Sequence, residues 1–339
     1  MINDAIQLDE LSTASNGQWR DLADRALDGR LLSADEGLAV LRADDDQLLD
    51  LLAAAYRVRH RYFGNRVHLN FLINAKCGHC GEDCGYCSQS KASTAEIPRY
   101  NLVDEDKLLD GARIAAEYRA KTYCIVISGR SPSNRELDVI ASTVPRIKVK
   151  YGLAVCASVG LLSTEQASLL KAGGVDRVNH NLNTSRRFYP KICSTHTYQE
   201  RLDTLRVVRD AGLEICSGGI VGMGEKDIDV VELALELGRL RVEATPINFL
   251  QPIDGTPLAR TWRLNPRYCL KVLALMRLAN PKCELRIAAG REMHLGPLQP
   301  LGLFPANSIF VGDYLTTKGQ PPTEDMEMIE ALGFEVVTE

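Results

Sequence analysis

The sequence has no run of about 18 apolar residues, the length a helix needs to cross a bilayer, so no membrane span is expected. Residues 1–20 lack the apolar centre of a secretory signal, which argues against an extracellular destination. Basic residues are not in excess: 40 Lys and Arg stand against 44 Asp and Glu, a net charge of -4. That balance argues against nucleic acid or an anionic membrane as partner. Low-complexity segments and long linkers are missing too. What remains is a globular chain, 45% hydrophobic over 339 residues, expected to be cytoplasmic. Ten cysteines in a reducing compartment do not suit a disulfide framework, and clustered ones point to metal binding.

Four of the ten, Cys77, Cys80, Cys84 and Cys87, fall within eleven residues of a glycine-rich loop that follows an apolar run over 67–73. Such loops let several thiolates converge on one metal centre, because glycine permits the tight turns required. Two metal readings are open. Cys77-x-x-Cys80 with Cys84-x-x-Cys87 makes a four-thiolate zinc site, suited to a structural or interaction module. Cys80-x3-Cys84-x2-Cys87 instead gives a cubane cluster three ligands and leaves one iron open. A redox dithiol is a third reading.

Residues 1–18 are polar and aperiodic and are expected to form a tail. Ser33-Ala-Asp-Glu36 is a capping box and predicts a helix start. A second helix is predicted over 46–62, with Leu48, Leu49, Leu52, Ala55 and Tyr56 on one face and a stop near Gly64. His60 and His68 stand alone and read as structural. From residue 67 onward eight short strand-like runs alternate with helical patterns: 67–74, 123–128, 154–159, 177–183, 214–221, 246–252, 284–289 and 308–312. Helix starts are marked by Asp104, Ser163, Thr197 and Asn265 followed by Pro266. Alternation favours a parallel sheet, and eight units favour closure. The predicted fold is α/β: a (β/α)8 TIM-type barrel over 66–339 with a C-terminal helix, and an N-terminal tail and helical extension over 1–65 packed on it.

Alternation within the strands carries more information. In the first, Val67, Leu69, Phe71 and Ile73 oppose His68, Asn70 and Asn74; the fourth sets Val178, His180 and Leu182 against Asn179, Asn181 and Asn183. The seventh sets Leu285, Ile287 and Ala289 against Arg286, Ala288 and Gly290. With the apolar faces on the helices, Asn, Cys, Ser, Gly and Arg point inward, where Val, Ile and Leu usually fill a barrel. A polar lumen of that kind implies a large occupant. Cys124, Cys156 and Cys216 each lie in a strand and point inward by the same rule, with Arg286 on a fourth strand. A buried arginine needs an anion, a carboxylate or a metal centre beside it; a second cluster meets that need. Cys193, Cys269 and Cys283 read as packing or surface residues, and His79, His180 and His196 are not expected to be ligands.

The spacing of Cys80, Cys84 and Cys87, with Tyr86 between the last two, resembles the signature of radical S-adenosylmethionine enzymes. Longer strings are similar, in order and spacing, to the biotin synthase family: the loop from Asn74 to Cys87, Asn179-His-Asn-Leu-Asn-Thr-Ser185, Cys216-Ser-Gly-Gly-Ile-Val-Gly222, Arg286-Ile-Ala-Ala-Gly-Arg-Glu292 and Ala306-Asn-Ser-Ile-Phe-Val-Gly-Asp-Tyr-Leu-Thr-Thr317. The likeness spans roughly residues 60–335. It implies radical sulfur insertion into dethiobiotin to form biotin, the sulfur donated by an auxiliary cluster. It implies a [4Fe-4S] cluster on Cys80, Cys84 and Cys87, with S-adenosyl-L-methionine on its open iron, and a [2Fe-2S] cluster on Cys124, Cys156, Cys216 and Arg286. Tyr86, Asn181, Asn183, Gly222 and Glu225 match cofactor-binding positions; Asn181, Asn248, Thr316 and Thr317 match substrate-binding ones. The resemblance further implies a flavodoxin or ferredoxin as electron donor, iron–sulfur assembly proteins as partners, and a homodimer. Two residues depart from the family pattern: Cys77 stands where another small residue is common, and Asn183 where many members have aspartate. A maturase-like or mutase-like barrel relative and an iron–sulfur sensor that does not cleave the cofactor remain as alternatives.

Overall fold

The computed structural model describes residues 13–260 and 264–337. Its centre is a sheet of parallel strands: β1 (Arg66–Lys76), β2 (Thr122–Ile127), β3 (Ala154–Ser158), β4 (Arg177–Asn179), β5 (Glu214–Cys216), β6 (Gly219–Val221), β7 (Ala244–Phe249), β8 (Glu284–Ile287), β9 (Ser308–Phe310) and β10 (Glu335–Val337). β1 pairs with β2 on one side and with β9 on the other, which closes the barrel. The eight expected runs all appear, the fifth as β5 and β6 together.

Both cores follow from side-chain alternation. Val67, Leu69, Ile125, Val155, Val178, Ile215 and Leu285 belong to the apolar layer beneath the helices. Cys124, Cys156, Cys216 and Ala244 form a separate buried cluster, on the opposite face of their strands. Register sets Leu72 beside Cys124 and Cys124 beside Cys156. The Cys124 and Cys156 thiols therefore share one level.

The helices begin where their caps predict. Asp104 accepts from Lys107 N at 2.9 Å to start the helix Glu105–Glu117, and Ser163 and Thr197 close capping boxes with Gln166 and Glu200. Asn265 caps a helix with Pro266 in its first turn. In order, the α-helices are α1 (Thr13–Leu27), α2 (Ala34–Leu41), α3 (Leu48–Phe63), α4 (Glu105–Glu117), α5 (Asn134–Tyr151), α6 (Thr164–Ala172), α7 (Tyr198–Asp210), α8 (Asp227–Leu240), α9 (Pro266–Ala279), α10 (Arg291–His294), α11 (Gln299–Gly302) and the C-terminal α12 (Pro322–Ala331). α2 packs on α8 and α9, and α3 on α9. Buried Arg59 of α3 ties this layer to the barrel by donating to the carbonyls of Ala306 at 3.0 Å and Arg66 at 3.0 Å. Among the described residues no helix is long and apolar enough to cross a membrane.

Four local expectations change. Residues 1–12 of the expected tail lie outside the described residues, while residues 13–18 already belong to α1. Leu49 is exposed, and Leu51 takes its place in the core. β4 stops at Asn179 because side chains take over the ladder: Leu182 N donates to Ser217 Oγ at 3.2 Å and Gly218 N to Asn181 Oδ1 at 3.0 Å. The fifth run breaks at Gly218, where a Cβ would lie 1.9 Å from the Pro246 carbonyl oxygen. β10, which pairs with β1 at Arg66–His68, had no alternating signature of its own.

Candidate functional site

The chain from the end of β1 folds over one mouth of the barrel and caps a cavity of about 380 Å³. Cys80, Cys84 and Cys87 all line it, as does Tyr86. Burial pushes the Cys87 thiol up to about 11. Cys77 is not part of the wall; its backbone pairs both ways with Tyr100, at 3.0 and 3.1 Å, and its side chain is buried. His79 and His60 are exposed.

Asparagines form the middle of the lumen. Asn183 donates from Nδ2 to the Tyr86 hydroxyl at 2.7 Å, and its backbone is left-handed, with φ 69°, a conformation asparagine tolerates better than most residues. Asn181 accepts from Asn179 at 3.1 Å and from Gly218 N at 3.0 Å. Asn248 donates to Gly219 O and accepts from Ala289 N, both at 3.2 Å. Thr316 pairs with Ser88 at 2.8 Å, and Thr317 with Gln251 at 3.1 Å. All five residues line the cavity. Gly222 and Glu225 lie outside its wall: the Glu225 carboxylate accepts from Gly222 N at 2.6 Å and Met223 N at 2.7 Å, and burial raises its pKa despite those bonds.

The floor holds the second group. Cys124 and Arg286 reach the cavity, with Cys156 and Cys216 packed around Cys124 beneath it. Arg286 Nη1 lies 3.9 Å from Cys216 Sγ. A hydrogen bond from Cys156, then Arg286 and Arg177, lower the Cys216 pKa against the push of burial.

Sequence reasoning missed three neighbours. Glu284, two residues before Arg286 and so on the same face, accepts from Arg286 Nη2 at 2.5 Å and Arg177 Nη1 at 3.2 Å. Burial pushes Glu284 up, but Arg286, His68 and Arg177 hold it well below the usual carboxylate range. The inward alternation beginning at Arg286 extends back to Glu284, and that signal was available. Arg177 sits at the start of β4, in register with Cys156. Cys193, read as a packing or surface residue, has its sulfur 3.7 Å from Cys84 Sγ; it comes close through a loop contact that no periodicity announces.

The donor set discriminates between the metal readings. Thiolates on one zinc ion, each about 2.3 Å from it, crowd within about 4 Å of one another. Among the described residues the only three Cys, His, Asp or Glu donor atoms all within 4.8 Å are those of Cys84, Cys193 and His196. No three of Cys77, Cys80, Cys84 and Cys87 meet that limit, which suits a multi-iron group better than a single zinc ion.

Comparison with known proteins agrees with this arrangement. Residues 76–237 match the profile of the Radical SAM superfamily, and residues 246–335 that of the Biotin and Thiamin Synthesis associated domain. The biotin synthase of Rhodopirellula baltica is 56% identical over 320 residues, covering 94% of this chain and 89% of its own. That of Geobacillus kaustophilus is 55% identical over 318 residues, covering 94% and 96%. Among solved structures, methylornithine synthase superposes with a TM-score of 0.76 at 19% identity over 93% of this chain and 97% of its own. The FeFe-hydrogenase maturase HydG from Carboxydothermus hydrogenoformans gives 0.79 at 17% over 95% and 79%. These two share the fold. At more than half identity over nearly its whole length, the chain belongs to the biotin synthase family of radical S-adenosylmethionine enzymes.

Proposed function

We propose that this chain is an enzyme converting dethiobiotin to biotin inside its barrel, with the two cysteine sets dividing the work. The observation that carries the reading is that Cys80, Cys84 and Cys87 of the first set and Cys124 and Arg286 of the second line one cavity, together with Asn179, Asn181, Asn183 and Asn248. When bound, a [4Fe-4S] cluster with S-adenosyl-L-methionine supplies a radical able to take hydrogen from unactivated carbon, and a [2Fe-2S] cluster supplies the inserted sulfur.

The chain's own residues do the rest. Cys80, Cys84 and Cys87 hold the first cluster, and Tyr86, Asn181, Asn183, Gly222 and Glu225 bind the cofactor. Asn183 supports that role by anchoring the Tyr86 hydroxyl, while Glu225 stiffens the loop at Gly222 through its backbone bonds. Asn181 and Asn248 present amides suited to the ureido ring, and Thr316 and Thr317 hydroxyls suited to the carboxylate tail. Cys124, Cys156, Cys216 and Arg286 hold the second cluster. The guanidiniums of Arg286 and Arg177 favour the thiolate of Cys216, and Glu284 keeps both in place. The closed barrel screens the radical from water. A flavodoxin or ferredoxin donor, iron–sulfur assembly proteins, a homodimer and a cytoplasmic setting complete the proposal, with residues 1–65 as a packing extension on a catalytic barrel over 66–339.

The test is anaerobic incubation of the reconstituted chain with S-adenosyl-L-methionine, a reductant and dethiobiotin, followed by mass spectrometry. Biotin together with 5′-deoxyadenosine supports the reading; neither product, from protein carrying iron and sulfide, overturns it.

A further inference from the structure

Cys193 is not one of the residues assigned to a cluster, yet its sulfur lies in van der Waals contact with that of Cys84, 3.7 Å away. Disulfide formation needs the two sulfurs to close from that contact to about 2.05 Å. Bonds that involve neither thiol hold the two segments together. Gly85 N donates to Ile192 O at 2.9 Å. Asp83 accepts from Ser194 N at 2.9 Å and Thr195 N at 3.2 Å, and its own N–H donates to Thr195 Oγ1 at 3.2 Å. The strap thus spans both sides of each cysteine and presents the pair whether or not a cluster is bound.

The same three donors, Cys84, Cys193 and His196, are close enough for a single metal ion, but the hydrogen bonds oppose it. Arg201 Nη2 donates to His196 Nε2 at 2.8 Å. A neutral imidazole whose Nε2 accepts must carry its proton on Nδ1, and that nitrogen faces Glu82 and Cys193. The lone pair that a metal needs is on the wrong side. Thiol chemistry remains.

We propose that Cys193 is a resolving thiol for Cys84: in the cluster-free chain, hydrogen peroxide converts the pair to a disulfide that protects Cys84 and that a dithiol reverses. Cys84 lines the cavity through which peroxide arrives, and Cys193 does not. The Cys84 thiol, which donates to Cys193 Sγ, passes its proton to that sulfur as its own sulfur attacks the peroxide O–O bond, giving the sulfenic acid and, after protonation of the leaving hydroxide, one water. The Cys193 sulfur then attacks that sulfur, and the second oxygen leaves as water. In sum, two thiols and one peroxide give one disulfide and two waters. Without a neighbouring thiol, a sulfenic acid passes on to sulfinic acid, which a dithiol does not reverse. The cross-link is independent of catalysis; its effect on cluster loading rests on the assignment of Cys84 to the first cluster.

The test uses the full chain, stripped of iron under anaerobic conditions with a chelator, reduced, and then exposed to hydrogen peroxide. Peptide mass spectrometry after acid quenching and alkylation should find Cys84 joined to Cys193, with both thiols lost to alkylation and both restored by dithiothreitol. Iron and sulfide uptake should be lost and recovered in step. In Cys193→Ser, Cys84 should accumulate as sulfinic acid, and uptake should not recover. Wild-type peptides joining Cys84 to Cys77, Cys80 or Cys87 would overturn the proposal, as would sulfinic Cys84 beside a Cys193 still open to alkylation. The wild-type map decides the matter even where Cys193→Ser fails to fold.

Discussion

Arg286 on β8 brings Nη1 to 3.9 Å from Cys216 Sγ on β5, and it is held there by Glu284, which binds its Nη2 at 2.5 Å. The carboxylate also binds Arg177, so one buried anion sets two cations beside the thiols. Replacing one partner of a buried ion pair typically costs about 3–5 kcal/mol, because the remaining charge is left uncompensated. Glu284→Gln is therefore expected to lower stability by about 3 kcal/mol in urea unfolding. It should also cost the second cluster's iron and sulfide more than the first's. Unchanged stability with a full complement of both clusters would show that Arg286 needs no such anchor.

Gly218 follows Cys216 by two residues, and a Cβ there would collide with the Pro246 carbonyl at 1.9 Å. Backbone cannot yield as a side-chain tip can. Gly218→Ala should lower stability by about 2 kcal/mol or more. Thermal unfolding checks this, and a wild-type melting curve would contradict it.

Asn183 combines a left-handed backbone with a bond to Tyr86. Asn183→Gly loses only the bond, whereas Asn183→Ala also carries a left-handed penalty of about 1 kcal/mol. Alanine should thus be the less stable variant in thermal melts, while both should raise the concentration of S-adenosyl-L-methionine needed for half-maximal turnover. Equal melting of the two variants would remove the backbone part of this account.

Glu136 caps α5 and accepts from Lys76, at the end of β1, at 2.7 Å. Burial opposes its ionisation, but Lys76 and the Ser133 bonds outweigh burial and lower its pKa. A depressed carboxyl adds stability that is present above its unfolded value and lost as pH falls through the folded one. Acid titration of the unfolding free energy should therefore show a loss below the ordinary glutamate range that is smaller in Glu136→Gln. Parallel curves for the two proteins would contradict it.

Much of this was legible in the chain because it depends on local rules. Alternation over 67–74 and 177–183 pointed to the inward asparagines, and side-chain caps such as Asp104 and Ser163 to the helix starts. Contacts between distant segments were harder. The approach of Cys193 to Cys84 depends on Gly85 meeting Ile192, which leaves no periodic trace. Gly218-Gly219 looked like uninterrupted strand because the sequence does not reveal that Pro246 presses against it. Leu49 was assigned to the buried face of α3 because the predicted helix was rotated toward it, whereas packing selects Leu51 and Leu52.

The central claim, two cysteine sets with separate tasks in one lumen, is tested most directly by comparing Cys84→Ala with Cys156→Ala under anaerobic single-turnover conditions, quantifying 5′-deoxyadenosine and biotin. Cys84→Ala should form neither product. Cys156→Ala should retain part of the deoxyadenosine and form no biotin. Deoxyadenosine from the first variant, or a full yield of biotin from the second, would contradict the division of labour.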